Sequence, residues 1–451
     1  MKIRTRIQRA IERLPEGASK PLVHIPFSIR LGRSYSVTRA AIADEEMTRL
    51  AFEARGKWER LRQLVGYAQQ NVPCYEQIYR ERGFDAGSLR SWDDWQRVPI
   101  VTKADFQRFP LSDRCARGVP GTKINTGGTS GQPLEFLVDN GALGREWAHM
   151  HHMWVSRGYK TTHPKLTLRG KHFGPGTALR YNAINNEYLA NSALPMHRIV
   201  EAVVRLSQRV PIRWVHGYPS LTAEFALAVD SLPDAGKRAL RSALHGVLLA
   251  SEYPAPQYRA PIAQILSTNV LSWYGHSEMV LIAKETAEGV YESFPTMGFA
   301  ESVPDHDGSN RLVCTSLGNT AHPFVRYDTG DRIEPVSSRR GALEFRIKEG
   351  RIGEFIVDRK GDRHALTAIV FGRHHAAFEL ASHIQVHQAA DGKVTFVVTP
   401  RDPGTDTAAI SSQLDMKGLD IEWSVRVVEA PVRTKSGKIK FLLATGDIPP
   451  R

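Results

Sequence analysis

Short strand-like runs alternate with helical runs along the middle of the sequence, and each strand-like run ends in a polar loop. The apolar runs lie at residues 212–215, 270–273 and 311–317. A helical pattern over residues 221–229 follows the first of them. This alternation is typical of an α/β body in which functional residues gather where strands run into loops.

The last quarter of the chain follows a different pattern. Residues 393–399 alternate apolar and polar side chains, as a half-exposed strand does, and residues 421–428 do so less regularly. We interpret this part as a small α+β unit. We place its junction with the α/β body near Gly350-Arg351.

Local signals also predict two helix boundaries. Residues 53–70 show helical periodicity through Trp58, Leu61, Val65 and Ala68. The pattern stops before Pro73, because proline cannot continue a helix. Thr102 precedes another helical start, with Asp105 at the third helical position, which predicts a capping box.

The composition is that of a soluble globular protein with at least two domains. The chain has 451 residues, of which 41% are hydrophobic and 24% are charged. It contains no apolar run of membrane-spanning length and no secretory signal pattern, so we expect a cytoplasmic protein. Cys74, Cys115 and Cys314 are far apart and suggest neither a disulfide framework nor a zinc site.

The net charge of +13 is concentrated near the N-terminus, where residues 1–40 contain nine Lys or Arg residues and two Glu residues. Ile3, Ile7, Ile11 and Leu14 recur there at helical spacing, which predicts a basic amphipathic helix. Such a helix can make a peripheral contact with an anionic membrane or pack on the protein's own body. The basic residues form no aromatic-interleaved stripe and no groove-reading motif, which argues against a nucleic-acid partner.

The stretch Thr126–Pro133 is the richest in glycine and hydroxyl groups. Glycines let backbone N–H groups converge on an anion, and Thr and Ser add side-chain donors, so the loop is suited to binding phosphates. It is not a Walker loop, because no lysine follows Gly131. It is not a nucleophile elbow around Ser130 either, because Gln132 stands where the final glycine belongs. A plain structural turn is the alternative.

Two further strand ends carry carboxylates. Glu278 closes the loop that begins at Tyr274, and it could bind magnesium carrying ATP phosphates or form a surface salt bridge. The segment Arg326–Asp331 is dense in turn formers. Its terminal carboxylate, Asp331, can accept two hydroxyl hydrogen bonds, as ribose recognition requires, and an Asx-type turn is the alternative.

The segment Thr434–Lys438 places a lysine beside a flexible Ser-Gly pair. Such a lysine can be carried into an active site as a mobile point charge, and a solvated basic tail is the alternative. Histidines cluster at His149-Met150-His151-His152. We favour neutral, hydrogen-bonded histidines there over a metal site, which would need further ligands.

These motifs follow one another in a defined order along the chain: the loop at 126–131, Tyr274–Glu278, Tyr327–Asp331, Gly350-Arg351 and Ser436-Gly437-Lys438. The order resembles the core motifs of the acyl-CoA synthetase superfamily, and specifically those of the phenylacetate–CoA ligase family. The branch associated with capsular polysaccharide biosynthesis looks most similar. The resemblance begins near Asn71-Val72-Pro73 and runs to Lys438, over about 370 residues.

The resemblance implies a fold and a reaction. The expected fold has a large α/β domain of the adenylate-forming type over residues 1–349, which includes the basic segment 1–40, and a small mobile α+β lid over residues 350–451. The expected cofactors are ATP, Mg²⁺ and coenzyme A. A carboxylic acid would be activated as an acyl-adenylate and then transferred to a thiol such as coenzyme A.

The resemblance also implies roles for individual residues. Glu278 would hold magnesium, and Lys438 would bridge the carboxylate and the α-phosphate, with Thr129 as a further catalytic residue. Nucleotide contacts are implied for the phosphate loop Thr126, Gly127, Gly128, Thr129, Ser130 and Gly131, for Ser251 and Glu252 on the adenine side, for Tyr274, which would stack on adenine, for Gly275 and His276 next to it, and for the ribose side Asp331 and Arg351.

Two other functions remain open at this level. The first is a transferase that passes the adenylated acyl or aminoacyl group to an amine or hydroxyl acceptor in surface polysaccharide biosynthesis. The second is a non-catalytic nucleotide-binding protein. Whether AMP release requires coenzyme A distinguishes the ligase from the transferase, and the sequence specifies neither the acid, the acceptor nor the oligomeric state.

Overall fold

A computed structural model of the chain describes residues 15–43, 56–125, 134–171, 176–191, 194–306, 308–339, 341–349, 355–361, 363–370, 376–417, 419–433 and 439–448. The basic helix predicted within residues 1–14, the loop at 126–133, Arg351 and Lys438 lie outside these residues. In the described part of the chain, no helix is both long enough and apolar enough to cross a membrane.

The described α-helices are numbered in chain order: α1 (Glu16–Ser19), α2 (Phe27–Leu31), α3 (Arg33–Ala43), α4 (Lys57–Asn71), α5 (Pro73–Glu81), α6 (Lys103–Gln107), α7 (Leu111–Arg114), α8 (Ala142–Val155), α9 (Met196–Ser207), α10 (Pro219–Asp230), α11 (Asp234–Arg241), α12 (Pro256–Leu266), α13 (Leu366–Val370) and α14 (Thr407–Ser412). Short 3-10 helices cover Lys20–His24, Ala86–Ser88, Trp92–Arg97, Ala376–Glu379 and Thr445–Asp447.

The described strands are β1 (Thr122–Asn125), β2 (Glu135–Val138), β3 (Lys165–Lys171), β4 (Leu179–Asn182), β5 (Glu187–Asn191), β6 (Trp214–Gly217), β7 (Gly246–Leu249), β8 (Val270–Gly275), β9 (Ile282–Ala287), β10 (Val290–Ser293), β11 (Gly298–Pro304), β12 (Asn310–Ser316), β13 (Tyr327–Arg339), β14 (Ala342–Glu349), β15 (Phe355–Val357), β16 (Arg363–Ala365), β17 (Ala381–Ala390), β18 (Lys393–Pro400), β19 (Glu422–Val427) and β20 (Leu442–Leu443).

The chain packs as two compact units. The first unit consists of residues 1–163, 182–186 and 272–348, and the second of residues 164–181, 187–271 and 349–451. The C-terminal part therefore begins next to the predicted junction, and it packs with the middle of the chain in the second unit. That residues 350–451 move as a lid against a domain spanning 1–349 stays a prediction.

Antiparallel strands build the first unit. They follow the order β11, β12, β13, β14, β10, β9 and β8, and registers such as Val313 opposite Asp328 and Tyr274 opposite Ala283 define the pairing. Apolar side chains of α4 and α5 belong to the same buried core as side chains of this sheet. The unit thus carries the motifs at 274–278 and 327–331 on one rigid sheet.

Parallel strands build the second unit. β7, β6, β3 and β5 are neighbours in that order, and Lys165 of β3 is paired with both Glu187 and Trp214. Side chains of α9, α10 and α12 pack in its core, as expected where helices cover a parallel sheet. The C-terminal residues add the sheet β19, β18, β17, β20. The predicted α/β class is confirmed.

Two predicted helix boundaries are confirmed. Helix α4 buries Leu61, Val65 and Ala68 and ends at Asn71, and Pro73 begins the next helix. The capping box before α6 is formed as well: the backbone N–H of Asp105 donates to Thr102 Oγ1 at 3.2 Å, and the backbone N–H of Thr102 donates to Asp105 Oδ2 at 2.8 Å.

One predicted strand is displaced by two residues. The run predicted at 212–215 is observed as β6 from Trp214 to Gly217, because pairing with β3 begins only at Trp214. Ile212 is buried before the strand begins, so its apolar character reports burial rather than strand pairing. An apolar run therefore predicts which residues are buried more accurately than it predicts the residue at which strand pairing begins.

Arg326 is buried in the first unit, with only 2% of its surface exposed. Its Nη1 donates to the carbonyl of Val98 at 2.7 Å, and its Nη2 donates to Glu301 Oε1 at 3.1 Å. Burial raises the pKa of the Glu301 carboxyl, whereas the Arg326 charge beside it favours the ionised form. The pair therefore connects the segment that ends at Val98 with β11, which contains Glu301, and with the start of β13, which follows Arg326.

We expect Arg326→Met to lower the free energy of unfolding by about 3–5 kcal/mol, because the buried carboxylate of Glu301 would lose the guanidinium that pairs with it. Chemical denaturation measures this change. The control is Arg62→Met, since Arg62 pairs with Glu59 at 2.9 Å on the surface, and we expect a loss below about 1 kcal/mol there. Equal losses for the two variants would contradict this account.

Candidate nucleotide site

Tyr274 and Asp331 form the centre of a candidate site in the first unit. Tyr274 lies near the end of β8, and Asp331 lies in β13. The hydroxyl of Tyr274 donates a hydrogen bond of 2.5 Å to Oδ2 of Asp331, and both side chains are buried. Burial and, next, the negative charge of Asp331 raise the pKa of Tyr274 well above its usual value, so the phenol remains a donor.

The ring of Tyr274 is held by two edge contacts. The ring of His276 lies 5.6 Å away at an interplanar angle of 87°, and the ring of Phe345 lies 5.5 Å away at 86°. Edge-to-face contacts of this kind stabilise one orientation of each ring. The orientation of Tyr274 is thus determined by its neighbours, and its stacking on adenine stays a prediction.

Glu278 lies inside the protein, in the turn after β8. Its side chain is 4% exposed, and Oε1 accepts a hydrogen bond of 3.2 Å from the hydroxyl of Tyr327. Its Oε2 lies 3.8 Å from Nδ1 of His276. The alternative of a surface salt bridge for Glu278 is wrong, because the carboxylate is buried and its described contacts are to an aromatic hydroxyl and an imidazole.

The turn at the start of β13 separates two aspartates with different roles. Asp328 Oδ1 accepts from the backbone N–H of Gly330 at 2.9 Å, and Gly330 has a φ of 81°, which is favourable for glycine. Asp328 therefore forms the Asx-type turn that was the alternative interpretation of this motif. Asp331 lies beyond the turn and contacts Tyr274 instead.

The donor chemistry of Glu278 fits a magnesium ion. Mg²⁺ is commonly bound through one or two carboxylates together with phosphates and water, and it requires hard oxygen ligands. A buried carboxylate that is oriented by a tyrosine hydroxyl presents hard oxygen acceptors of this kind in a defined position. Glu278 is therefore suited to hold the ion that accompanies ATP.

The histidine-rich helix α8 has a structural role in its described contacts. His149 Nδ1 contacts the carbonyl of Arg145, and Nε2 contacts Thr296 Oγ1, each at 2.8 Å. Burial lowers the pKa of His149 to about 4, so the ring is neutral near pH 7. Over the ranges that the structure describes, no three His, Cys, Asp or Glu side chains are grouped as a metal site.

Ser251 and Glu252, predicted on the adenine side, belong to the second unit. Ser251 has a φ of 72°, in the left-handed region that is uncommon for serine. Glu252 accepts the backbone N–H of Ser220 at Oε2 and that of Ile439 at Oε1, each at 3.1 Å. Both carboxylate oxygens of Glu252 thus bind backbone donors, and its contact with a nucleotide stays a prediction.

The structure brings together Tyr274, His276, Glu278 and Asp331 among the predicted residues, with Gly275 in the same strand end. The predicted phosphate loop 126–131, Arg351 and Lys438 lie outside the described residues, so their roles stay predictions. The adjacent pair Ser251 and Glu252 is described separately in the second unit.

Two residues of the candidate site were missed by the sequence reasoning. Tyr327 donates to Glu278, and Phe345 packs against Tyr274. Tyr327 is part of the Tyr-Asp-Thr-Gly-Asp motif, so an aromatic hydroxyl next to the predicted ribose ligand was a usable signal. Phe345 belongs to the ordinary apolar pattern of β14, and its sequence position gives no such signal.

Comparison with known proteins supports the predicted resemblance. No protein-family model matches the chain. Phenylacetate-coenzyme A ligase of Pseudomonas putida is 26% identical over 303 residues, which cover 62% of this chain and 66% of that protein. The match thus spans just under two thirds of the length of that relative.

Solved structures share the architecture over most of the chain. A crystal structure of 2-hydroxyisobutyryl-CoA ligase in the postadenylation state, in complex with R3-HIB-AMP, covers 86% of this chain and 88% of its own, with a TM-score of 0.61 and 17% identity. An acyl acid amido synthetase covers 82% of this chain and 85% of its own, with a TM-score of 0.54 and 13% identity.

The chain has the fold of the adenylate-forming ligases. Within that class, its sequence is similar to phenylacetate–coenzyme A ligase, and the predicted resemblance is confirmed. The association with capsular polysaccharide biosynthesis stays a prediction.

We expect Tyr274→Phe to lower the free energy of unfolding by about 1.5–3 kcal/mol, because a buried hydrogen bond to a charged acceptor is lost. Urea denaturation measures the loss. Tyr67→Phe is the matched control, since the Tyr67 hydroxyl donates to the carbonyl of Thr320 at 3.0 Å near the surface. We expect at most about 1 kcal/mol there, and a Tyr274→Phe variant as stable as this control would refute the assigned bond.

Proposed function

We propose that this protein activates a carboxylic acid with Mg-ATP to form an acyl-adenylate and pyrophosphate, and then transfers the acyl group to a thiol such as coenzyme A. The observation that carries the proposal is the pair of buried carboxylates, Glu278 and Asp331, each held by a tyrosine hydroxyl in a fold of the adenylate-forming class.

Glu278 is proposed to hold the magnesium ion, which when bound neutralises charge on the phosphates of ATP. Asp331 is proposed to accept hydrogen bonds from ribose hydroxyls. The hydrogen bond from the Tyr274 hydroxyl to Oδ2 orients this carboxylate.

Lys438 is proposed to contact the carboxylate and the α-phosphate, where negative charge builds up as the carboxylate oxygen attacks phosphorus. A positioned cation of this kind typically contributes about 3 kcal/mol to transition-state stabilisation in a site that excludes water. Thr126–Gly131, with Thr129 among them, are proposed to bind the phosphates, and Arg351 is proposed to bind the ribose together with Asp331.

For the acyl acceptor, the proposed thiol has one alternative, which is an amine or hydroxyl group. The fold is shared with CoA ligases and also with an acyl acid amido synthetase, so a thiol and an amine are both compatible with it. The sequence similarity to phenylacetate–coenzyme A ligase favours the thiol. Release of AMP that depends on coenzyme A supports the ligase, and release that depends on an amine or a saccharide supports the transferase.

We expect carboxylate-dependent exchange of pyrophosphate into ATP, tested with aromatic, fatty and amino acids. We expect Glu278→Gln to lower the exchange rate at least about tenfold, since the neutral amide binds magnesium more weakly. Glu292→Gln is the matched control, because Glu292 forms an ion pair of 2.9 Å with Lys284 in the same unit. No exchange with any acid would refute the proposed activity.

Lys438→Ala is expected to slow the same exchange reaction about a hundredfold or more, because the cation that stabilises the transition state is removed. Single-turnover formation of AMP from ATP and the best acid of the panel measures the chemical step. Lys435→Ala is the control from the same segment. An effect on the KM for ATP with an unchanged rate constant would argue against the transition-state role of Lys438.

A further inference from the structure

The chain on either side of residues 434–438 is paired in the second unit. The backbone N–H of Lys440 donates to the carbonyl of Val432 at 3.1 Å, and Arg433 and Ile439 form an antiparallel bridge. We call residues 432–433 and 439–440 the stem. Lys438 directly precedes Ile439 in the sequence. The contacts that hold the stem therefore fix the position of the residue next to Lys438.

Gln385 of β17 holds both halves of the stem. Its Nε2 donates to the carbonyl of Val432 at 2.8 Å and to that of Lys440 at 2.5 Å, and its Oε1 accepts the N–H of Val432 at 2.8 Å. The side chain is fully buried. A buried amide bonded on both sides specifies one geometry, because breaking any bond would leave a polar group unsatisfied.

Glu224 of α10 binds the first half of the stem. Its Oε1 accepts a short hydrogen bond from Nη2 of Arg433 and lies 3.2 Å from Nε2 of His383. Burial and, next, the charge of Arg433 lower the pKa of His383 well below its usual value, so the ring is neutral and the guanidinium supplies the positive charge.

Glu252 binds the second half. One carboxylate oxygen accepts the N–H of Ile439, and the other accepts the N–H of Ser220 at the start of α10, each at 3.1 Å. Glu224 and Glu252 therefore hold the two halves of the stem against the same helix. Both acceptors come from residues 219–252, whereas the stem comes from the last twenty residues of the chain.

We propose that Glu224 is a positioning residue for Lys438: together with Glu252 it anchors the stem so that Lys438 is delivered for acyl-adenylate formation. The inference rests on the proposed function, because Lys438 acts in the first half-reaction. Attack of a thiol on an adenylate that is already formed does not use Lys438 in the proposed role. Loss of the anchor should therefore slow the first half-reaction selectively.

The test uses the full-length chain and assays the two half-reactions separately. We expect Glu224→Gln to lower the pyrophosphate-exchange rate constant about 10- to 100-fold, since displacements near 1 Å can cost that much. The KM for ATP should change less than about twofold, because Glu224 has no proposed ATP contact and uniform binding is preserved. Conversion of a supplied synthetic acyl-adenylate by coenzyme A should stay near the wild-type rate.

Two companion variants separate anchoring from general destabilisation. Arg433→Gln should reproduce the defect, and the double variant Glu224→Gln/Arg433→Gln should be no slower than either single variant, since the two residues act as one pair. Glu422→Gln is the matched control, because its ion pair with Arg359, at 3.3 Å, lies on the surface of the same unit. The Glu422→Gln variant should catalyse pyrophosphate exchange at the wild-type rate.

A second measurement does not depend on turnover. Hydrogen exchange at the backbone amides of Ile439 and Lys440 should accelerate in Glu224→Gln and Arg433→Gln, and amides of β3 should keep their protection. An unchanged exchange rate constant, or equal losses in both half-reactions, would overturn the positioning role. A wild-type protein without carboxylate-dependent exchange would instead reject the proposed function itself.

Discussion

A buried arginine determines where the candidate site begins. Arg326 precedes β13 directly, and its guanidinium binds the carbonyl of Val98 and the carboxylate of Glu301 inside the first unit. The backbone is constrained as well, since Arg326 has a φ of 42° and its N–H donates to Thr315 Oγ1 at 2.9 Å. Tyr327 and Asp331 follow directly along the chain, so the contacts of Arg326 help to align Tyr327 with Glu278 in the turn after β8 and Asp331 with Tyr274 in β8.

Much of this arrangement could be predicted from the sequence, because it depends on local patterns. The periodicity before Pro73 gave the end of α4, and the Thr-x-x-Asp pattern gave the cap of α6. The grouping of Tyr274 with Glu278 followed from their separation along one strand end. The hydrogen bond between Tyr274 and Asp331 was not predicted, because it depends on packing between segments that are distant along the chain.

The remaining features depend on packing between distant segments, which local patterns do not specify. Arg326 looked like one turn residue among several, whereas its five-donor fork makes it the main polar contact of a buried strand start. For Glu278 the sequence left a surface salt bridge open, whereas the side chain is buried. Gln385 carries no sequence signal that its amide holds Val432 and Lys440, since that role depends on residues 47 and 55 positions away along the chain.

The buried carboxylates can be ranked as ligand-binding candidates by the donors they meet. Glu301 and Glu224 each meet a guanidinium, which supplies a full positive charge, so these pairs are close to neutral and suit a structural role. Glu278 and Asp331 instead accept hydrogen bonds from tyrosine hydroxyls, and Oε2 of Glu278 also lies 3.8 Å from Nδ1 of His276. Burying a carboxylate is costly unless charges or hydrogen-bond donors balance it, and the proposed Mg²⁺ ion and ribose hydroxyls would contribute to that balance. The same residue type therefore supports the fold in one setting and is the proposed ligand of Mg-ATP in the other.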